Sequence, residues 1–351
     1  MSHTTSDQAP RILLTGGAGY IGSHTAVTLL QAGCEVVVVD NLVNSHVKSL
    51  QSVQRITGQP VVFHQTDIRE SARIQQILRD ERIDAVVHLA GLKAVGESSA
   101  DPLAYYDNNV HGSLCLLQAM QVAGVRQLVF SSSATVYGPP QFLPYTEDHP
   151  TAPTNPYGNT KRQVEVMLQD LSHSGPGWHF SLLRYFNPVG AHDSGELGED
   201  PHGVPNNLMP FLAQVAVGQR QALTIHGDDY DTPDGTGVRD YLHVCDLAEG
   251  HWAALKHLRS HAAADSSRCE VFNLGSGQGH SVKQMVAAFE LASGQRVATQ
   301  IGPRRAGDLP AFWADARRAE QQLGWRATRD VHSMCASTWH WQQSHPHGFN
   351  D

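Results

Sequence analysis

A short apolar run, Arg11-Ile-Leu-Leu-Thr15, leads directly into Gly16-Gly17-Ala18-Gly19-Tyr20-Ile21-Gly22 and then into a helix-like stretch ending near Gln31. No other feature constrains the fold as much. A strand that is apolar throughout is buried on both faces, the condition met by parallel sheets covered by helices. The pattern then repeats. Glu35-Val-Val-Val-Val-Asp40, Val61-Val-Phe-His-Gln-Thr66, Ala85-Val-Val-His-Leu89 and Gln127-Leu-Val-Phe-Ser131 read as further strands, with helical stretches over 71–81 and 101–123 between them. Such alternation predicts an α/β chain built on a doubly wound parallel sheet.

A further strand is expected over Phe180–Phe186, after which the texture changes. Asn187 to Pro210 is dense in Gly, Pro, Asn and Asp, and the later elements are shorter. The chain of 351 residues is long enough for two units. The expected division is a frayed tail over 1–10, a dinucleotide-binding domain over 11–188 and a smaller C-terminal α/β substrate-binding domain over 189–351. Exchange of segments between the two is left open.

Composition narrows the partners. The net charge is −9 and no dense Lys/Arg block occurs, which argues against nucleic acid and anionic membranes. No apolar run approaches the ~20 residues that span a bilayer. Cys34, Cys115, Cys245, Cys269 and Cys335 are odd in number and far apart, so a reducing, cytoplasmic setting is expected. The 21 histidines are scattered, and no metal site is expected.

Two motifs carry chemistry. The glycines between the first strand and first helix would let backbone approach a pyrophosphate at a helix N-terminus, as in Rossmann-type domains. Asp40 ends the second strand, where a carboxylate accepts hydrogen bonds from a ribose and repels a 2′-phosphate. NAD, rather than NADP, is the expected cofactor. The second motif is Tyr157-Gly-Asn-Thr-Lys161, which sets a phenol and an ammonium one helical turn apart. A cation beside a tyrosine favours phenolate and so makes a general base for a hydroxyl. A solvated helix face is the plainer alternative. Ser131-Ser132-Ser133 follows a sheet strand, where open α/β sheets place their sites, and one of its hydroxyls could share the proton.

These stretches resemble the extended short-chain dehydrogenase/reductase family, and more closely its branch acting at C4 of UDP-hexoses. The resemblance runs through Ala90-Gly-Leu-Lys-Ala-Val-Gly-Glu97, Tyr105-Tyr-Asp-Asn-Asn109, Ser131-Ser-Ser-Ala-Thr-Val-Tyr-Gly138, Arg184-Tyr-Phe-Asn-Pro-Val-Gly-Ala191, Asn206-Asn-Leu-Met-Pro210 and Gly235-Thr-Gly-Val-Arg-Asp-Tyr241. It implies reversible interconversion of UDP-glucose and UDP-galactose by C4 oxidation to a 4-keto sugar, rotation and re-reduction by the same bound cofactor.

By this resemblance Tyr157, Lys161 and Ser133 are catalytic, with Lys161 biasing Tyr157 towards phenolate. NAD would be held by Gly16, Gly19, Tyr20, Ile21, Gly22, Asp40, Asn41, Asn44, Ser45, Asp67, Ile68, Ala90, Gly91, Lys93, Asn108 and Tyr185, together with Tyr157 and Lys161. The UDP-sugar would meet Ser133, Asn187, Asn207, Leu208, Arg239, Arg305, Asp308 and Phe312. Phe312 would leave little room for a 2-acetamido group, and His226 stands near the uracil where an aromatic residue is expected. A homodimer is implied, plausibly through helices such as 101–123.

Two rival functions differ in their residues. A nucleotide-sugar 4,6-dehydratase begins with the same oxidation but would carry carboxylates just after the active-site hydroxyl, where this chain has Ser133-Ala134-Thr135-Val136. A catalytically silent nucleotide-binding sensor would have no use for Tyr157, Lys161 and Ser133 together.

Overall fold

The computed structural model describes residues 9–201, 203, 205, 207–261, 266–305 and 308–350. Most of the expected tail, residues 1–8, lies outside them, as does Asn206.

Seven strands form one sheet in the spatial order Arg268–Leu274, His179–Tyr185, Gln127–Ser131, Ala85–His88, Arg11–Thr15, Glu35–Asp40 and Val62–Gln65. Every neighbouring pair runs parallel. Because strand side chains alternate between faces, each apolar strand feeds two cores. Ile12, Leu14, Val36 and Val38 enter one, and Leu13, Val37 and Val39 the other. Helices Ser71–Asp80, Gly112–Ala123 and Pro156–His173 cover the second face with Ile74, Leu116 and Val164. Helices Tyr20–Gln31 and Val244–His261 cover the first.

That cover crosses the boundary expected at 188. Strand Arg268–Leu274 pairs with His179–Tyr185 along its whole length, Arg268 opposite His179 and Leu274 opposite Tyr185. Helix Val244–His261 packs on helix Tyr20–Gln31. The large sheet is therefore completed by residues beyond 188. The remaining later strands make small sheets, Val238–His243 with Gly279–Ser281, Ala311–Phe312 and Asn187–Val189, and Leu223–His226 with Thr299–Gly302. A separate core of Met209, Leu212, Tyr241, Met285, Phe289 and Met334 supports them.

Two features position the site. Strand order reverses between Arg11–Thr15 and Ala85–His88, which opens a crevice beyond their carboxyl ends. The stretch expected as one helix over 101–123 is three pieces: Pro102–Tyr105, a π-helical turn Tyr106–His111, and Gly112–Ala123. A wide turn of this kind inserts a residue into the helical ladder and re-aims side chains. Here it carries Asn108 and Asn109. Among the described residues no helix is long and apolar enough to cross a membrane.

Candidate active site

The crevice holds a cavity of about 540 Å³. Gly16, Gly19, Tyr20, Ile21, Gly22, Asp40, Asn41, Asn44, Ser45, Ile68, Ala90, Gly91, Lys93, Asn108, Tyr157, Lys161 and Tyr185 all line it. The glycine turn is folded against itself. A Cβ on Gly22 would lie 2.2 Å from Gly16 O, and one on Gly16, whose φ is +71°, would meet Ala90 N at 2.7 Å. Asp40 is spoken for on three sides. Its carboxylate accepts Ala18 N–H at 3.0 Å, Leu42 N–H at 2.9 Å and the Ser45 hydroxyl at 2.8 Å. A carboxylate offers about four acceptor positions, so one remains for a ligand hydroxyl.

This is a cradle a dinucleotide fits: a turn too tight for side chains at a helix N-terminus, then a carboxylate held at the next strand end. Asp67 is the exception among the expected contacts. It does not line the cavity, and its carboxylate accepts Arg69 Nε at 2.9 Å and Asn41 Nδ2 at 2.8 Å. Those bonds, Arg69 foremost, hold it well below the usual carboxylate range.

Tyr157 sits where local sequence puts it. Asn155 caps the helix by accepting Gly158 N–H at 2.9 Å, and Pro156 occupies the first turn, where its missing N–H costs nothing. The helix is pinned to the sheet by a buried fork. Arg184 donates Nε and Nη2 to the two oxygens of Glu165 at 2.9 and 2.7 Å, and Ser132 donates to the same carboxylate at 2.6 Å. Ser133 follows immediately. Its Oγ accepts Thr135 N–H at 3.2 Å and the Thr135 hydroxyl at 2.9 Å, which leaves its own proton to donate outward. The Tyr157 phenol lies within its reach.

Lys161 is buried beside Tyr157 in the same cavity. Its Nζ donates to Ser131 O at 2.9 Å and stands 6.0 Å from the Tyr157 ring centroid. Burial dominates the electrostatics. It pushes the Tyr157 phenol up to about 12, with only the Ser133 hydrogen bond opposing, and draws Lys161 down to about 8 against the pull of Glu165. Burial thus favours the neutral phenol, and a positive charge brought close to it would favour phenolate.

The residues expected on the UDP-sugar are arranged around their own contacts. Arg239 pairs with Asp308 at 3.7 Å and lies 4.6 Å over the Phe312 ring, which in turn packs against Phe186 at 6.0 Å. Asn187 donates to Asp240 O at 3.0 Å. Arg305 is exposed, and its carbonyl accepts Asp308 N–H at 3.2 Å. Leu208 opens helix Leu208–Ala216. Of this set only Asn207 lines the cavity; Ser133, Asn187, Leu208, Arg239, Arg305, Asp308 and Phe312 do not. His226 is tied to Pro303 O at 3.2 Å.

Among the residues that escaped the sequence reading, four stand out. Glu199 lines the cavity and accepts both Lys93 Nζ, at 3.0 Å, and Asn207 Nδ2, at 2.8 Å, on one oxygen. Asp200 and Phe349 line it too. Asn109, buried in the π-turn, braces the floor by donating to Thr160 Oγ1 and Leu92 O, each at 3.0 Å, and accepting Leu92 N–H at 2.8 Å. Only Asn109 had a signal, as the last residue of Tyr105-Tyr-Asp-Asn-Asn109.

Comparison with known proteins agrees with this geometry. A family model described as GDP-mannose 4,6 dehydratase matches residues 13–338. The chain is 54% identical over 341 residues to the UDP-glucose 4-epimerase of Yersinia pestis, covering 97% of this chain and 99% of that one. Among solved structures, the UDP-glucose 4-epimerase of Stenotrophomonas maltophila, with NAD and a formylated UDP-arabinopyranose, superposes with a TM-score of 0.93 at 51% identity, over 96% of this chain and 99% of that one. That of Bifidobacterium longum, with NAD+ and UDP, gives 0.92 at 50% identity, over 97% and 100%. The sheet, glycine turn and Tyr/Lys/Ser cluster define an extended short-chain dehydrogenase/reductase. Within that class, the chain belongs to the NAD-dependent UDP-glucose 4-epimerase family.

Proposed function

We propose that this chain interconverts UDP-glucose and UDP-galactose, with Tyr157 as the group that takes and returns the proton of the sugar 4-hydroxyl. One observation supports the assignment: Tyr157 and Lys161 line the cavity in the sheet's crevice, and Ser133, just past the end of strand Gln127–Ser131, lies within reach of the Tyr157 phenol. When bound, NAD supplies a reversible hydride acceptor for the carbon bearing that hydroxyl. Ser133, with both Thr135 donors behind its oxygen, directs its proton to the reacting oxygen and to phenolate. Lys161 places its charge beneath the ring while Ser131 O fixes the side chain.

Gly16, Gly19, Gly22, Asp40 and Lys93 hold the dinucleotide in this reading. Asn187, Asn207, Leu208, Arg239, Arg305 and Asp308 hold the UDP moiety. The forked guanidinium of Arg239 is suited to a diphosphate, provided that Asp308 gives it up. The part of the chain beyond 189, less the helix and strand it lends to the large sheet, is the UDP-sugar side. The stretch after Ser133 carries no carboxylate to remove water from the sugar, which favours epimerisation over 4,6-dehydration.

Two wider readings complete the proposal. Leu103, Leu114 and Val122 are exposed on the 101–123 stretch, with Val166 on the Tyr157 helix, and suit a homodimer built on these helices. Five free cysteines suit a cytoplasmic setting.

The test is incubation of the purified protein with UDP-galactose and no added NAD, followed by chromatography of the sugar nucleotides. UDP-glucose should form without release of NADH. No conversion, even with NAD supplied, overturns the assignment.

A further inference from the structure

The segment after helix Val331–Ser344 reaches back to the wall of the cofactor cavity. After helix Val331–Ser344 the backbone turns, Gly348 N–H bonding to His345 O at 3.1 Å, and Phe349 is set into the cavity wall with 7% of its surface exposed. The Phe349 ring stacks on His46 at 6.0 Å and packs on Trp341 at 5.0 Å. Its backbone is held from two sides. The N–H donates to Asp200 Oδ2 at 2.8 Å, and the carbonyl accepts Lys48 Nζ at 2.6 Å. Gly348 has φ +65°, and a Cβ there would lie 2.1 Å from Asp200 Oδ1, so turn and carboxylate are fitted to each other. Lys48 opens a helix of the sheet-bearing part, whereas Asp200 belongs to the loop beyond it. His46 directly follows Asn44 and Ser45, cavity residues ordered by the Ser45–Asp40 bond.

We propose that His345–Asn350 is a strap that keeps the dinucleotide in its cavity, with Phe349 as the closing wall and Lys48 and Asp200 as its anchors. The inference rests on the cofactor reading above. Catalysis with no net redox change regenerates the cofactor in place, so release serves no step of the cycle. A ring seated against the loop that holds the ribose carboxylate obstructs exit and stays clear of the reacting atoms. Opening requires that the two anchors part and that the ring leave His46 and Trp341. Phe349 is thus a positioning residue whose effect falls on cofactor release.

Wild type, Phe349→Ala, Phe349→Tyr, Asp200→Asn and a chain stopped after His347 are each loaded with NAD and gel-filtered. Loss of bound NAD is then followed while an NAD-hydrolysing enzyme removes what is freed, and UDP affinity is measured by calorimetry. Phe349→Ala and the shortened chain should release NAD at least about tenfold faster, since weakened closure acts on the off-rate. Asp200→Asn should show a smaller increase, Phe349→Tyr should stay near wild type, and UDP affinity should not change.

Release by Phe349→Ala and Asp200→Asn within about twofold of wild type overturns the strap, being too small for a lost barrier to exit. So does a parallel loss of UDP affinity, which marks general loosening. Should the shortened chain not fold, the two point variants decide. A wild type that takes up no NAD, whether resident or added, removes the cofactor reading itself and the strap with it.

Discussion

The two sides of the crevice are built in different ways. The cofactor side is a ready cavity. Its glycine turn, Asp40 and the floor braced by Asn109 are held by bonds within one parallel sheet and the helices covering it. Most residues expected on the UDP-sugar come from loops, short strands and a helix start, and several are engaged already, Arg239 with Asp308 and Phe312, Asn187 with Asp240 O. A site on a sheet edge is preorganised before its ligand arrives, whereas one assembled from loops trades internal contacts for ligand contacts. The difference suits a reaction in which the cofactor stays and the sugar turns.

The largest expected effect separates chemistry from cofactor binding. On the role proposed for Tyr157, Tyr157→Phe removes the atom that would accept the sugar proton while keeping the ring in the cavity wall. Turnover of UDP-galactose should fall by on the order of 10³-fold, within the range for a lost general base. NAD, quantified after acid release, should remain at wild-type occupancy. A variant retaining a tenth of wild-type turnover, a loss outside that range, would show that another group moves the proton.

Next in size is a break on the cofactor side alone. Gly22→Ala puts a Cβ 2.2 Å from Gly16 O, a backbone atom that cannot swing aside. Overpacking there should cost on the order of 3 kcal/mol in thermal or urea unfolding. Bound NAD should be lost while UDP still binds by calorimetry. Loss of both ligands together would mean that the two sides are one preorganised unit.

The same contrast governs what could be read from sequence. The glycine turn, Asp40, and Asn155-Pro-Tyr157 with Lys161 are local devices, each acting over a few residues, and their spacing states their geometry. Contacts made when distant segments meet have no such signature. Glu199 finds Lys93 across 106 residues, and Phe349 finds Lys48 across 301. The π-turn of Tyr106–His111 falls inside an otherwise ordinary helical pattern, so one helix was the natural expectation. Asp67 is bonded by the guanidinium of Arg69, two residues on, a local pairing that the sequence reading did not weigh. Lys161 stands beside the Tyr157 ring as its spacing indicated, whereas its bond to Ser131 O, 30 residues back, has no local signature.

Acid should act on both parts together. His24 and His88 are buried and drawn down to about 3, and His243 and His251 to about 4, burial being the main cause in each. His88 ends sheet strand Ala85–His88 and is bonded to Thr15, His251 lies on helix Val244–His261 and is bonded to Ser131, and His243 joins later segments through Ser337. Folded values below the ordinary 6.5 mean that the unfolded chain binds protons first as pH falls. Stability is therefore full above about pH 6.5 and declines through the window down to the folded values. Each histidine should cost on the order of 2 kcal/mol by pH 5. A single cooperative loss in urea unfolding at pH 5 fits histidines spread over both parts, and two separate transitions would show that one part yields alone.

The smallest effect tests whether the sugar side is adjustable. Phe312 is pinned between Arg239 and Phe186, at 4.6 and 6.0 Å, so its ring cannot retreat far into the loop that carries it. If that ring limits the space at C2 of the sugar, wild type should turn over UDP-galactose well and UDP-N-acetylglucosamine poorly. Phe312→Cys removes the ring and keeps a small apolar side chain, so relative turnover of the acetamido sugar should rise about tenfold, the usual scale for a hydrophobic pocket that gains room. Turnover of UDP-galactose should change little, because neither proton nor hydride transfer passes through that ring. Arg239 also loses its cation–π partner, and a modest rise in KM for both sugars is the expected cost. Equal turnover of the two sugars by wild type would exclude Phe312 as the limit. An unchanged ratio in Phe312→Cys would make the ring core packing, and the boundary of the sugar site would then lie with the backbone of the Leu309–Phe312 stretch.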